Sequence, residues 1–158
     1  EIEPDPIPEE TPPADVPEVI LLNTPKPDPK PEGAEITTGE VNHLNGIIKN
    51  GYAELRGMNF KEAAGLFKQA LEMNPGSSKA WFGLGKTSFE KGDYQEATRH
   101  IEKALTINPK RHGWRVYLGK VHMALGKRDR AIEEWRKVLS ADPKNEQAKS
   151  LLEDVGAN

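Results

Sequence analysis

Along most of this chain like residues recur at intervals of thirty-four, and a constant period of that length admits few folds. Gly51, Gly85 and Gly119 share one column of the ungapped alignment, Ala63, Ala97 and Ala131 a second, and Pro75, Pro109 and Pro143 a third. One unit is written three times, over about 44–77, 78–111 and 112–145. Periods of roughly 20–50 residues mark stacked arrays, in which each unit covers its apolar face only by packing on its neighbours.

Inside the unit the apolar residues fall every three or four positions, as in Ala97, Ile101, Ala104 and Leu105, which predicts helices with one buried stripe. Gly85 and Ala97 are small, so the two helices of a unit are expected to approach closely. Enlarging Ala63, Ala97 or Ala131 should overpack that contact at a cost of roughly 1–3 kcal/mol. Each proline closes a unit, because it lacks an amide hydrogen and disfavours helix in the residue before it, here Asn74, Asn108 and Asp142. Thr37 with Glu40 forms a capping box, placing the first helix from about Thr38 to Arg56. Asn59 with Glu62 and Asp93 with Glu96 predict the same cap on the second helices of units one and two. Gly92 and Gly126 supply left-handed turn residues after the first helices of units two and three. A last helix over about 145–155 carries Ala148, Leu151, Leu152 and Val155 on one side and is expected to cap the array.

The middle unit reads Trp81, Leu84, Gly85, Ala97, Ile101 and Pro109, with Ser88 where an aromatic is usual. The first keeps Gly51, Ala63, Phe67 and Pro75 but has Ile47, Asn50 and Glu54 at the other places. The third keeps Leu118, Gly119, Ala131, Trp135 and Pro143, with Arg115 and His122 as its departures. Over about 44–145 the chain therefore resembles the tetratricopeptide repeat family. The resemblance implies an all-α fold: a right-handed α-α superhelix of three helix-turn-helix repeats plus a capping helix.

Residues 1–36 differ from the repeat domain expected over 37–156. Ten of the thirteen prolines lie at or before Pro31, a density that predicts a disordered or polyproline-like acidic tail. Residues 1–40 hold eleven acids against two lysines, a charge of −9, while the remainder carries +6. No two tail prolines stand three apart, which argues against an SH3 ligand. Val19, Ile20, Leu21 and Leu22 make an apolar island in this segment. The chain starts at Glu1 inside proline-rich sequence and reads as part of a longer protein.

Cysteine is absent from the sequence, which excludes disulfides, thiolate metal sites and cysteine nucleophiles and leaves the compartment open between cytoplasm and periplasm. No apolar run reaches the length of a membrane span. His43, His100, His112 and His122 lack metal-ligand spacing; His122 occupies an aromatic column and is expected to be packed, the other three solvated. No phosphate-cradling loop or Ser, His and Asp set stands apart from the repeat. The chain is expected not to be an enzyme and to carry no metal or cofactor. Lys110, Arg111, His112 and Arg115, and then Lys127, Arg128 and Arg130, form basic clusters, the second interleaved with Asp129, Glu133 and Glu134. Such mixing marks a solvated face rather than a nucleic-acid surface.

In the family, the first helix of each repeat lines a groove. The matching positions here are Ile48, Lys49, Tyr52, Leu55 and Arg56; Lys79, Phe82, Lys86, Phe89 and Glu90; and Val116, Tyr117, Lys120 and Met123. Tyr52, Phe82, Phe89 and Met123 are not required by a repeat's own helix pair, so the groove is expected to be apolar with a basic rim. It would take a partner's peptide or helix that has aliphatic or aromatic anchors beside acidic residues. Chaperone-adaptor members hold a terminal carboxylate with a polar clamp. The corresponding residues are Ile48, Tyr52, Gly83, Gly113 and Tyr117, which cannot do so.

The tail has ligand-like chemistry too, with seven acids, no basic residue and the Val19–Leu22 island within residues 1–22. The fifteen residues from Asn23 to Thr37 would span roughly 20 Å as flexible chain, so gating of the groove by the tail is a second expectation. The alternative role is a scaffold subunit of a bacterial envelope, motility or secretion assembly, by analogy with proline-rich spacers there. The capped end predicts a monomer.

Overall fold

The computed structural model describes residues 37–157; the proline-rich segment and the Val19–Leu22 island lie outside the described residues. Seven helices follow in order: α1 Thr38–Arg56, α2 Phe60–Met73, α3 Ser78–Glu90, α4 Tyr94–Ile107, α5 His112–Ala124, α6 Arg128–Ala141 and α7 Glu146–Asp154. Among the described residues there is no strand. Helices α1 and α2, α3 and α4, and α5 and α6 form three hairpins. Each successive hairpin packs its first helix on the second helix of the hairpin before, and α7 closes the array against α6. This is the all-α repeat fold that the resemblance implies.

The ends of the helices follow local chemistry. Thr37 Oγ1 accepts from the Glu40 amide at 3.3 Å while the Thr37 amide donates to Glu40 Oε2 at 2.9 Å, completing the capping box of α1. The predicted boxes at Asn59 and Asp93 do not form: both residues precede their helices but make no side-chain cap. Asn59 instead donates to Glu54 at 2.7 Å and Asp93 pairs with Lys91 at 2.9 Å, so each side chain is drawn back toward the preceding turn. The carboxy-terminal caps Asn74, Asn108 and Asp142 leave the helical region with ψ of 94°, 83° and 85°, as a following proline requires.

Each hairpin turn is closed by two backbone bonds. Gly92 N–H donates to Phe89 O and Asp93 N–H to Ser88 O; Gly126 N–H donates to Met123 O and Lys127 N–H to His122 O. Gly92 and Gly126 have φ of +84° and +70°. The first hairpin makes the same pair of bonds, Met58 to Leu55 and Asn59 to Glu54, but its left-handed residue is Met58 at φ +62°. A side chain there costs on the order of 1–3 kcal/mol.

Packing turns on where backbones touch large side chains. A Cβ on Gly51 would stand 2.8 Å from the Phe67 ring, and one on Gly83 would collide with the same ring from α3. Phe67, wholly buried, is thus gripped by two helices that have nothing but hydrogen at the contact. Ile101 lies against Gly85 and Trp135 against Gly119 in the same way.

The third hairpin accommodates its departures with polar partners. Arg115, in the column of Trp81, donates to Glu134 Oε2 at 2.8 Å, and Lys137 donates to Glu134 Oε1 at 2.8 Å. Glu134 is nearly buried, so it is a partner of Arg115 inside the hairpin and not a member of a solvated face. His122 is buried as its column implies, and its Nδ1 has no hydrogen-bond partner. Of the other histidines only His43 is exposed. His100 departs from the expected solvation because Trp81 lies 5.7 Å away, ring to ring, and Ser88 Oγ is 3.4 Å from its Nδ1.

Two predictions come from this packing. Gly83→Ala should destabilise by roughly 1–3 kcal/mol through the Phe67 contact, whereas Gly65→Ala, with open space around it, should stabilise by about 0.5–1 kcal/mol; thermal unfolding of the two variants measures the opposite signs. Burial lowers the His122 pKa below its ordinary 6.5, against a smaller pull upward from Glu134 and Glu102 and with Arg130 and Lys127 acting alongside it. The unfolded chain therefore binds a proton first as pH falls through about 6.5. Stability is full above that value and declines below it, and denaturant titrations from pH 8 to 5 should show a shallower acid decline in His122→Phe.

Candidate interaction face

The first helices of the hairpins, α1, α3 and α5, are joined by side chains on one face. From α1 the Tyr52 hydroxyl donates to Lys79 O on α3 at 3.1 Å, with its ring edge-on to Phe67 at 5.0 Å. Burial raises the Tyr52 pKa to about 12, so the hydroxyl stays a donor. Between α3 and α5, Phe82 stacks on Trp114 at 4.8 Å and meets Tyr117 at 5.6 Å. Phe89 meets the same tyrosine at 5.3 Å, and Lys86 Nζ lies 5.6 Å from its ring centre. Tyr117 is the shared neighbour of Phe82, Lys86 and Phe89. Its hydroxyl donates to Glu90 Oε1 at 3.4 Å, and burial, then the Glu90 charge, push its pKa up.

These contacts divide the residues that the sequence assigned to a groove wall. Ile48, Leu55 and Val116 are buried; Val116 is 1 % exposed and its carbonyl accepts from Trp135 Nε1 at 3.0 Å. They belong to the interior, because stacking each hairpin on the next covers this side of its first helix. Phe82, 9 % exposed, is the joint between α3 and α5 and not an open anchor. Tyr52, Lys86, Phe89, Tyr117 and Lys120 are half-buried, while Lys49, Arg56, Lys79, Glu90 and Met123 are exposed. The accessible face is therefore smaller and more basic than the list of positions suggests.

Among the described residues the cations of this face outnumber its one acid, Glu90. Lys49, Arg56, Lys79, Lys86 and Lys120 form no ion pair with another described residue, whereas Lys91, Arg99, Arg115, Lys137 and Lys149 each do. At the carboxy-terminal end of α1 a cavity of about 340 Å³ is lined by Tyr52, Leu55, Arg56, Met58, Phe60, Lys86 and Glu90.

Sequence reasoning did not single out Trp114, Phe60 or Met58 for this face. Trp114 and Phe60 fall outside the repeat's diagnostic columns. Met58 was detectable, since it takes the column of Gly92 and Gly126. Among the described residues no helix is long and apolar enough to cross a membrane.

Comparison with known proteins agrees with the fold. No curated protein matches the chain in sequence. The first TPR of Spaghetti (RPAP3) bound to HSP90 peptide SRMEEVD superposes with a TM-score of 0.69 at 16 % identity, over 78 % of this chain and 96 % of that one. The Arabidopsis OM64 TPR domain gives 0.64 at 20 %, over 71 % and 93 %, and MamA gives 0.63 at 22 %, over 75 % and 72 %. At such identities the likeness is one of fold. Two profiles described as Tetratricopeptide repeat match residues 48–112 and 88–155, which together span most of the chain, and the chain belongs to the tetratricopeptide repeat family.

Proposed function

We propose that this protein is a non-enzymatic protein-interaction module whose α1, α3 and α5 face binds an acidic peptide or helix of a partner. The observation that carries the reading is the set of five cations, Lys49, Arg56, Lys79, Lys86 and Lys120, that have no ion-pair partner among the described residues and surround the half-buried rings of Tyr52, Phe89 and Tyr117. A peptide carboxylate gains a charge-assisted bond there without breaking an existing pair. Apolar anchors would lie on Phe89 and Met123, the latter 36 % exposed. One structural neighbour holds a peptide, SRMEEVD, that combines acids with Met and Val.

Recognition of a free terminal carboxylate is not part of the proposal. At the positions matching the family's clamp, Ile48 is buried, Tyr52 is committed to Lys79 O, Gly83 is pressed on Phe67 and Tyr117 is committed to Glu90. Gly113 has no side chain to offer. The ligand is read along its length, and its end is dispensable.

The acidic residues of segment 1–22 match the same cations, which favours the segment as a competitor that gates the face. Deleting residues 1–35 should then tighten partner binding; unchanged affinity would leave the segment as a spacer.

The double variant Phe89→Ala with Lys86→Glu should weaken peptide capture by roughly 10-fold or more, with helix content by circular dichroism unaltered. Wild-type affinity in that variant rejects the face. Amidating the peptide's carboxy terminus should leave affinity in place, measured by fluorescence anisotropy.

A further inference from the structure

We infer that the turn after α1 carries a pocket for one acidic residue of a partner peptide together with that residue's large apolar neighbour. The inference rests on the reading of the α1, α3 and α5 face as a peptide site and names what one end of it selects. Met58 stands where the other two hairpins have glycine, in a left-handed conformation with φ +62°. Backbone strain of this kind persists where the surroundings or a function require the side chain. No closure of the turn requires it, since Gly92 and Gly126 make the same pair of bonds without one.

The Met58 side chain is also the most exposed large hydrophobic group among the described residues, at 76 %. It borders the 340 Å³ cavity, whose size is about the lower end of that of ligand sites. Phe60 and Tyr52 supply further apolar surface in the same cavity, and Arg56 and Lys86 bring two cations without ion-pair partners among the described residues. Glu90, the one acid of the lining, accepts from the Tyr117 hydroxyl. A guanidinium and an ammonium over an apolar floor select a carboxylate whose neighbour is aliphatic or aromatic. An unbranched, polarizable thioether adapts to either.

The occupant is a segment of a partner protein. The pocket lies at the far end of α1, a helix of 19 residues that spans about 28 Å. That exceeds the average reach of roughly 20 Å for the fifteen residues joining Leu22 to α1. The Val19–Leu22 island would have to stretch its tether to supply the apolar neighbour, whereas a partner's segment has no tether. The acids of segment 1–22 remain competitors for the rest of the face.

The test uses the full chain and three capped peptide probes. Each is a Gly/Ser dodecamer, with a central Glu-Glu-Leu-Phe block, a Gln-Gln-Leu-Phe block or a Glu-Glu-Ala-Ala block. Anisotropy should rank the first above both others. Met58→Gly should weaken binding of the first probe roughly tenfold, the size expected when a buried thioether side chain is withdrawn. It should at the same time raise the melting midpoint by about 3–5 °C through relief of the turn. Met58→Leu should keep the affinity, and Arg56→Gln should abolish the preference for Glu over Gln. A Met58→Gly variant that gains stability yet binds as tightly as wild type overturns the pocket and leaves the wider face standing. Failure of the wild type to bind any probe overturns both. If Asp15→Asn with Glu18→Gln tightens probe binding in the wild type but not in Met58→Gly, the chain's own segment fills the pocket and the assignment to a partner fails.

Discussion

The contact between a bare backbone and a large side chain sets the spacing of every hairpin, and the remainder of the array depends on it. Phe67 sits between Gly51 and Gly83, so α1 and α3 both close on one ring. A methyl group at either glycine would stand inside the van der Waals distance of that ring and force the helices apart. Because cores are close-packed, such a displacement would be felt throughout the stack and not absorbed locally. Ile101 and Trp135 fill the same place in the later hairpins. Ile101 belongs to the same core cluster as Phe82, while Trp135 spends its indole N–H on the Val116 carbonyl.

The proposed binding face follows from what this spacing leaves outside. Once stacking has taken Ile48, Leu55, Val116 and Phe82 into the interior, the face along α1, α3 and α5 keeps mostly basic groups and the edges of rings. On α6 acids and bases neutralise each other, as with Glu133, Glu134 and Lys137, although cations such as Lys61, Lys68 and Lys103 away from this face also have no ion pair among the described residues. The asymmetry is partly one of amount, since residues 37–157 hold fifteen acids against twenty lysines and arginines, and partly one of arrangement, since several of those acids are paired away from this face. A surface whose cations lack partners gains most from an acidic ligand, for which desolvation is offset by new charge pairs.

The fold was legible in large part before any coordinates. The period fixed the number of hairpins, the prolines their ends, and the Thr37–Glu40 pair the start of α1. The caps expected at Asn59 and Asp93 do not form, because a pattern of residue types does not reveal that Glu54 and Lys91 compete for those side chains. The site was legible by position only. Counting along the repeat names Phe82 and Val116 as readily as Lys86, since one helical face contains both the residues that seal the stack and those left beside the opening.

By itself the sequence determined the repeat, the helices and the places where no side chain fits, because those depend on spacing and residue size along a single chain. Tertiary structure decided which of the expected groove residues are accessible, that Glu134 is the buried partner of Arg115, and that Met58 borders a cavity with Lys86. Each of those depends on residues between about twenty and thirty positions apart being brought within a few ångströms, and periodicity gives the order of such neighbours without giving their depth.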